Sequence, residues 1–161
     1  MSIIKSGHIQ TIKLREEIIN FVGIGRVGDR KKRTDKRFIQ DYERKEIKKL
    51  LKYKECIDIL ITHDKDDSSQ RGYGMTEIRE VLDNVIFCYH FYGHTGEPFK
   101  QEVDINGITN SIKIKELEFN KDGVLPYGCM LILEKKKEGE CILEIVEQRI
   151  TNQLTKHNWK Y

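Results

Sequence analysis

Proline is nearly absent from this chain, with 2 residues in 161, and glycine contributes only 12. That excludes a collagen-like or proline-rich polypeptide. No run approaches the roughly 18 consecutive apolar residues that a membrane-spanning helix needs, so no membrane partner is expected. The opening MSIIKSGHIQ lacks the apolar core and small-residue cleavage site of a secretory leader, and a cytoplasmic location is expected. There is no C-x-x-C pair. Cys56, Cys88, Cys129 and Cys141 lie 32, 41 and 12 residues apart, which argues against a zinc ribbon or a thioredoxin-type site. Buried, reduced thiols are the expectation for all four.

What is present is charge, at 34% of residues, beside short and strongly apolar runs. The length suits one domain, spanning 1–161. The net charge of +3 hides an uneven distribution. Arg26–Lys54 holds 13 Lys and Arg against 5 Asp and Glu, and the remainder of the chain is acidic. Such a stretch is either a solvated helix face with its loop or a surface for a phosphate-bearing partner.

Ile18–Ile24 (IINFVGI) reads as a buried strand, and Ile9–Leu14 is short and mixed. Gly25–Arg37 is a polar loop. Asp41 can cap a helix reaching about Lys54, with Ile47, Leu50 and Leu51 on one stripe. Ile57–Thr62 (IDILIT) is a second strand, Met75–Asp83 a second helix and Val85–Tyr92 (VIFCYHFY) a third strand. Strands this apolar belong to a parallel sheet covered by helices. After Pro98 the pattern becomes antiparallel hairpins. Asn106-Gly107 marks a tight turn, Ser111–Phe119, Met130–Glu134 and Cys141–Val146 read as strands, and Glu147–Lys156 as a short helix.

Ligands of open α/β sheets gather at the carboxyl ends of the strands. His63 ends one strand and His94 follows another, so both imidazoles are expected at one sheet edge, where they could bind a metal. His90 shares the strand face of His94 but lies roughly 13 Å from it, and is set aside. His8 and His157 are read as solvated. Asp64, Asp66 and Asp67 form an acidic loop read as a solvated turn, with a hard cation as the alternative. Gly23–Gly28 matches G-x-G-x-x-G in spacing, but a polar basic loop follows where a dinucleotide site needs a helix.

Two strand-end motifs, DILITHD at 58–64 and HFYGHTGE at 90–97, resemble the last two metal motifs of the calcineurin-like metallophosphoesterases. The flanking helices and the β-rich tail holding LPYGCMLIL look like the second half of that fold. The resemblance covers the chain from about Ile9 onward. It implies an α/β fold, namely the C-terminal half of a calcineurin-like sandwich, β-α-β-α-β followed by antiparallel hairpins. It further implies metal-dependent hydrolysis of phosphoric esters, with His63 and His94 as ligands of one of two divalent cations (Mn, Fe or Zn).

The departures from the family pattern matter as much. The second His of its G-H-x-H motif is Gly96 here, and Glu97 replaces it only if the loop turns. The family's D-x-H and G-N-H-[DE] motifs are absent, and its G-D occurs only as Gly28-Asp29, in the basic loop after a strand already matched to the second half, so the bridging Asp, the Asn ligand and the general-acid His have no counterpart. The chain alone is therefore expected to be inactive, as a partial domain lacking the N-terminal half. It would expose a sheet face that requires a complementary chain or self-association. Two other readings stand beside this one. One is a non-catalytic interaction module. The other is a phosphate or nucleic-acid binder using Arg26, Arg30, Lys31, Lys32, Arg33, Lys36 and Arg37.

Overall fold

Six strands join edge to edge in the order β1-β2-β3-β4-β6-β5: β1 (Ile9–Leu14), β2 (Glu17–Ile24), β3 (Ile57–Thr62), β4 (Phe87–Tyr92), β5 (Lys100–Val103) and β6 (Asn110–Lys113). The structure is a computed structural model that describes residues 4–14, 16–29, 31–66, 74–93, 97–136, 140–155 and 158. β2, β3, β4 and β6 run parallel, and β1 and β5 flank them antiparallel. The chain passes from β2 to β3 through α1 (Asp41–Leu50) and from β3 to β4 through α2 (Thr76–Asn84). Both crossovers step in the same direction, so their right-handedness lays both helices over one face of the sheet. There Ile47 and Leu50 of α1 and Ile78, Val81 and Leu82 of α2 join Val22, Ile24 and Leu60 in one buried cluster. The fold is mixed α/β, and no described helix is long and apolar enough to cross a membrane.

Several expectations need correcting. Ile9–Leu14 is a full edge strand, paired with β2 along its whole length. The residue before α1 is Gln40, not Asp41, and its backbone N–H donates to Glu43 Oε2 at 2.9 Å. The helix stops at Leu50, because Lys52 and Tyr53 donate to the carbonyls of Lys49 and Leu50 and tighten the chain into the turn that leads to β3. Asn106-Gly107 does form the tight turn, with Gly107 N–H donating to Asp104 O at 2.9 Å. The strand after it is only Asn110–Lys113, and it returns between β4 and β5, parallel to β4. Ser111 and Ile112 are both buried, as an interior strand requires. Within the glycine motif Gly28 serves packing: a Cβ there would lie 2.8 Å from Gly74 O. Of the four thiols only Cys129 is buried.

The second sheet is an antiparallel hairpin, β7 (Leu131–Lys135) and β8 (Cys141–Ile145), followed by the single turn α3 (Gln148–Thr151). Strand alternation puts Tyr89 on the face opposite His90 and the helices, and Tyr89 Oη donates to Cys141 O at 3.1 Å. The hairpin thus lies on the second sheet face. Its anchor is Lys135, whose Nζ donates to both oxygens of Asp58 at 2.9 Å and to Ile18 O at 2.7 Å. Asp58 also accepts from Asn20 N–H at 2.8 Å. Asp58 is buried, so truncating it strands an ammonium and an amide together. Asp58→Ala is expected to cost about 3 kcal/mol in urea unfolding, whereas Glu134→Ala, which removes an exposed partner of Lys136, should leave the midpoint unchanged.

Candidate functional site

The parallel strands deliver four carboxyl ends to one edge, and the loop after β2 is folded back across it. Val27 N–H donates to Arg37 O at 3.1 Å, and Ile39 N–H to Val27 O at 3.0 Å. Within this basic loop most of the described guanidinium groups carry their own carboxylates. Arg33 pairs with Asp29 at 3.1 Å and Arg37 with Asp35 at 2.8 Å, and on α1 Arg44 meets Glu77 at 2.7 Å. Arg33 also lies over the Phe38 ring, 3.9 Å from its centroid. Its hydrogen bonds hold the Asp29 carboxyl down to about 2. The stretch is therefore an ordered loop in which Arg33 and Arg37 are paired, while its cations still outnumber its carboxylates. Arg30 lies outside the described residues.

Between this loop, α1 and the N-terminal segment opens a cleft of about 950 Å³. Lys5, Arg26, Lys36 and Arg37 line it against two carboxylates, Glu43 and Glu46, together with His8, His63 and Tyr42. Four cations against two anions leave the lining positive with both histidines neutral. Glu43, itself buried, organises the wall. It accepts from Ser6 Oγ at 2.9 Å, Arg26 Nε at 3.0 Å and Gln40 N–H at 2.9 Å. Arg26 is thereby fixed, with its other nitrogens on Tyr42 Oη at 3.2 Å and on the carbonyl of Lys36. Burial disfavours its charge, but Glu43 and Tyr42 more than offset that and raise its pKa. His8 Nε2 lies 3.7 Å from Glu46.

His63 stands where the sequence placed it, one residue past β3. Its N–H extends the ladder to Ile24 O at 2.9 Å, and the residue lines the cleft. The next strand ends alongside, since Thr62 and Tyr92 are register partners. His94 and Gly96 lie outside the described residues. The acidic loop is not a solvated turn. Asp64 is buried and accepts from Gly28 and Lys65 N–H at 3.1 and 3.0 Å, and Asp66 pairs with Arg79 at 3.0 Å; Asp67 is outside the described residues. Among the described residues no three His, Cys, Asp or Glu side chains come together as a metal cage. The described residues alone therefore supply no donor set for a bimetallic centre.

His90, set aside on strand geometry, is a buried structural residue. Its ring meets Thr62 Oγ1 at 2.9 Å and Ser111 Oγ at 3.3 Å and stacks on Tyr92 at 5.2 Å. Arg79 and Asp104 pair nearby at 2.7 Å. Burial pushes the imidazole from 6.5 down to about 3.

The sequence left Lys5, Ser6, Glu43 and Glu46 unmarked as site residues, and His8 reads there only as solvated. Only Glu43, three positions after a helix-starting residue, carried a local signal. No family model matches the chain, and a comparison with curated proteins also finds no match.

The folded pKa of His90 lies below its unfolded value, so the native state favours the neutral ring. That preference is fully satisfied above pH 6.5 and is lost as pH falls from there toward about 3. Between pH 7 and pH 5 the unfolding free energy should drop by about 2 kcal/mol from this group, and a His90→Gln variant should lack that part of the slope.

Proposed function

We propose that this chain recognises phosphate-bearing ligands at the carboxyl edge of its parallel sheet, as the second half of a calcineurin-like metallophosphoesterase fold. Hydrolysis would then need carboxylate ligands supplied by a complementary polypeptide. The observation that carries the reading is the cleft at the tips of β2 and β3, lined by Arg26, Lys36, Arg37 and His63. Guanidinium groups suit phosphoryl oxygens because their paired N–H donors match the oxygen spacing. A Glu43-fixed Arg26 meets the ligand already oriented.

In this reading His63 and His94 are the imidazole ligands of one Mn, Fe or Zn ion, and that ion would supply Lewis-acid activation in the complemented assembly. Within this chain the residues bind and orient the anion. A non-catalytic interaction module is the second reading. Ile132 and Ile142 on the hairpin and Ile61 on β3 are exposed, as expected of a surface that associates with another chain or with a second copy.

Calorimetric titration with inorganic pyrophosphate tests the first reading. Binding should weaken several-fold when salt rises from about 0.05 to 0.2 M. Lys36→Ala/Arg37→Ala should weaken it about tenfold without altering the fold. No pyrophosphate binding at low salt rejects the phosphate site. Manganese-dependent turnover of an aryl phosphate by the chain alone rejects the need for a complementary half.

A further inference from the structure

Three of the four cysteines, distant in sequence, meet at the amino-terminal edge of the sheet, opposite the basic cleft. Cys56 stands one residue before β3, Cys88 is the second residue of β4 and Cys141 the first of β8. They line one surface cleft of about 290 Å³ with Ile86 and Asn110. Cys56 is exposed, and Cys88 and Cys141 are half-buried. Their orientations differ. Cys56 Sγ lies 3.6 Å from Cys88 Sγ, while Cys141 Sγ lies 3.9 Å from Asp58 Oδ1. Asp58 is already committed to Lys135 through both oxygens. A thiophilic metal would need a third donor, and among the described residues no such trio converges. Two facing thiols suit a two-electron oxidation instead.

We propose that Cys56 and Cys88 form a thiol-oxidation site, converted by hydrogen peroxide into an intrachain disulfide that ties the approach to β3 onto β4. The sulfurs must close from 3.6 Å to about 2.05 Å. Cys56 precedes the ladder and so has freedom to move, whereas Cys88 is held within β4. Cys56, the exposed thiol, loses its proton and its sulfur attacks one peroxide oxygen. The O–O bond breaks, and the hydroxide released takes up the proton as water, leaving Cys56 as a sulfenic acid. Cys88 Sγ then attacks the Cys56 sulfur. The S–S bond forms, the S–O bond breaks, and the leaving hydroxide carries off the Cys88 proton as a second water. Two sulfurs have together lost two electrons, and one peroxide has become two waters. A dithiol reductant reverses the bond by exchange.

Partial desolvation of its sulfur and the neighbouring Cys88 push the Cys56 thiol up to about 11. The thiolate is scarce near neutrality, so the reaction should accelerate about tenfold per pH unit through that range. That separates this site from fast peroxide-scavenging cysteines and fits one that responds to sustained oxidant.

The test is peptide mass mapping of the full chain under non-reducing conditions, before and after hydrogen peroxide at about pH 8.5. The expected result is one intrachain link between the tryptic peptides carrying Cys56 and Cys88. Their combined mass should fall by about 2 Da, and dithiothreitol should reverse the change. The free-thiol count should drop from four to two. Cys141→Ser should keep the link and Cys88→Ser should abolish it. The proposal is overturned if four thiols persist, if the link runs to Cys141 or to a second molecule, or if Cys56 proceeds to sulfinic acid without pairing. Wild-type mapping alone decides between these outcomes, so a variant that fails to fold does not stall the test.

Discussion

A sheet whose interior strands all run the same way has two faces to cover and one edge that collects every carboxyl end. Both demands shape this chain. The first face is covered by α1 and α2, whose apolar stripes meet Val22, Ile24 and Leu60. The second face carries the β7–β8 hairpin, and a two-stranded ribbon has little stability of its own. Its residues Leu131, Leu133, Leu143 and Ile145 are half-buried, and the Lys135 ammonium seated on Asp58 and the Ile18 carbonyl fixes the ribbon to the sheet beneath. The edge that collects the strand ends is where the basic loop, the N-terminal segment and His63 converge.

Polar burial is concentrated where elements must be held in a particular relation. Glu43 ties Ser6, Arg26 and Gln40, so the start of the chain, the exit of β2 and the start of α1 share one carboxylate. Arg79 of α2 does the same for Asp66, Asp83 and Asp104. Burial pushes the Asp104 carboxyl up, and the Arg79 guanidinium more than compensates, leaving it below its ordinary value. Lys113 is fully buried with the carbonyls of Glu97 and Ile114 as its acceptors, and burial lowers its pKa.

The parallel core was legible because its strands are short, apolar and bounded by polar segments. IDILIT at 57–62 begins and ends where it was read. Placement of β6 was not legible. Its four residues include only one large apolar side chain, Ile112, and nothing local distinguishes pairing with β5 alone from insertion beside β4. The cleft was legible in part. His63 follows from strand-end placement, and the cations follow from local composition. The pairing of Arg33, Arg37 and Arg44 with Asp29, Asp35 and Glu77 depends on how the loop folds back, which no period encodes. The thiols misled because apolar neighbours on a strand do not bury a residue at the strand's start: Cys56 sits before the ladder begins and is exposed.

The carboxylate of Glu43 has one further consequence. It already supplies negative charge at the amino end of α1, where Gln40 N–H closes on it. On the proposed reading an incoming anion would therefore meet the fixed Arg26 and the long arms of Lys36 and Arg37 rather than a rigid ring of backbone amides. Such arms follow their guest, so discrimination among guests would track the number of charges more than outline. Single surface exchanges could then retune the preference while the packed interior stayed as it is.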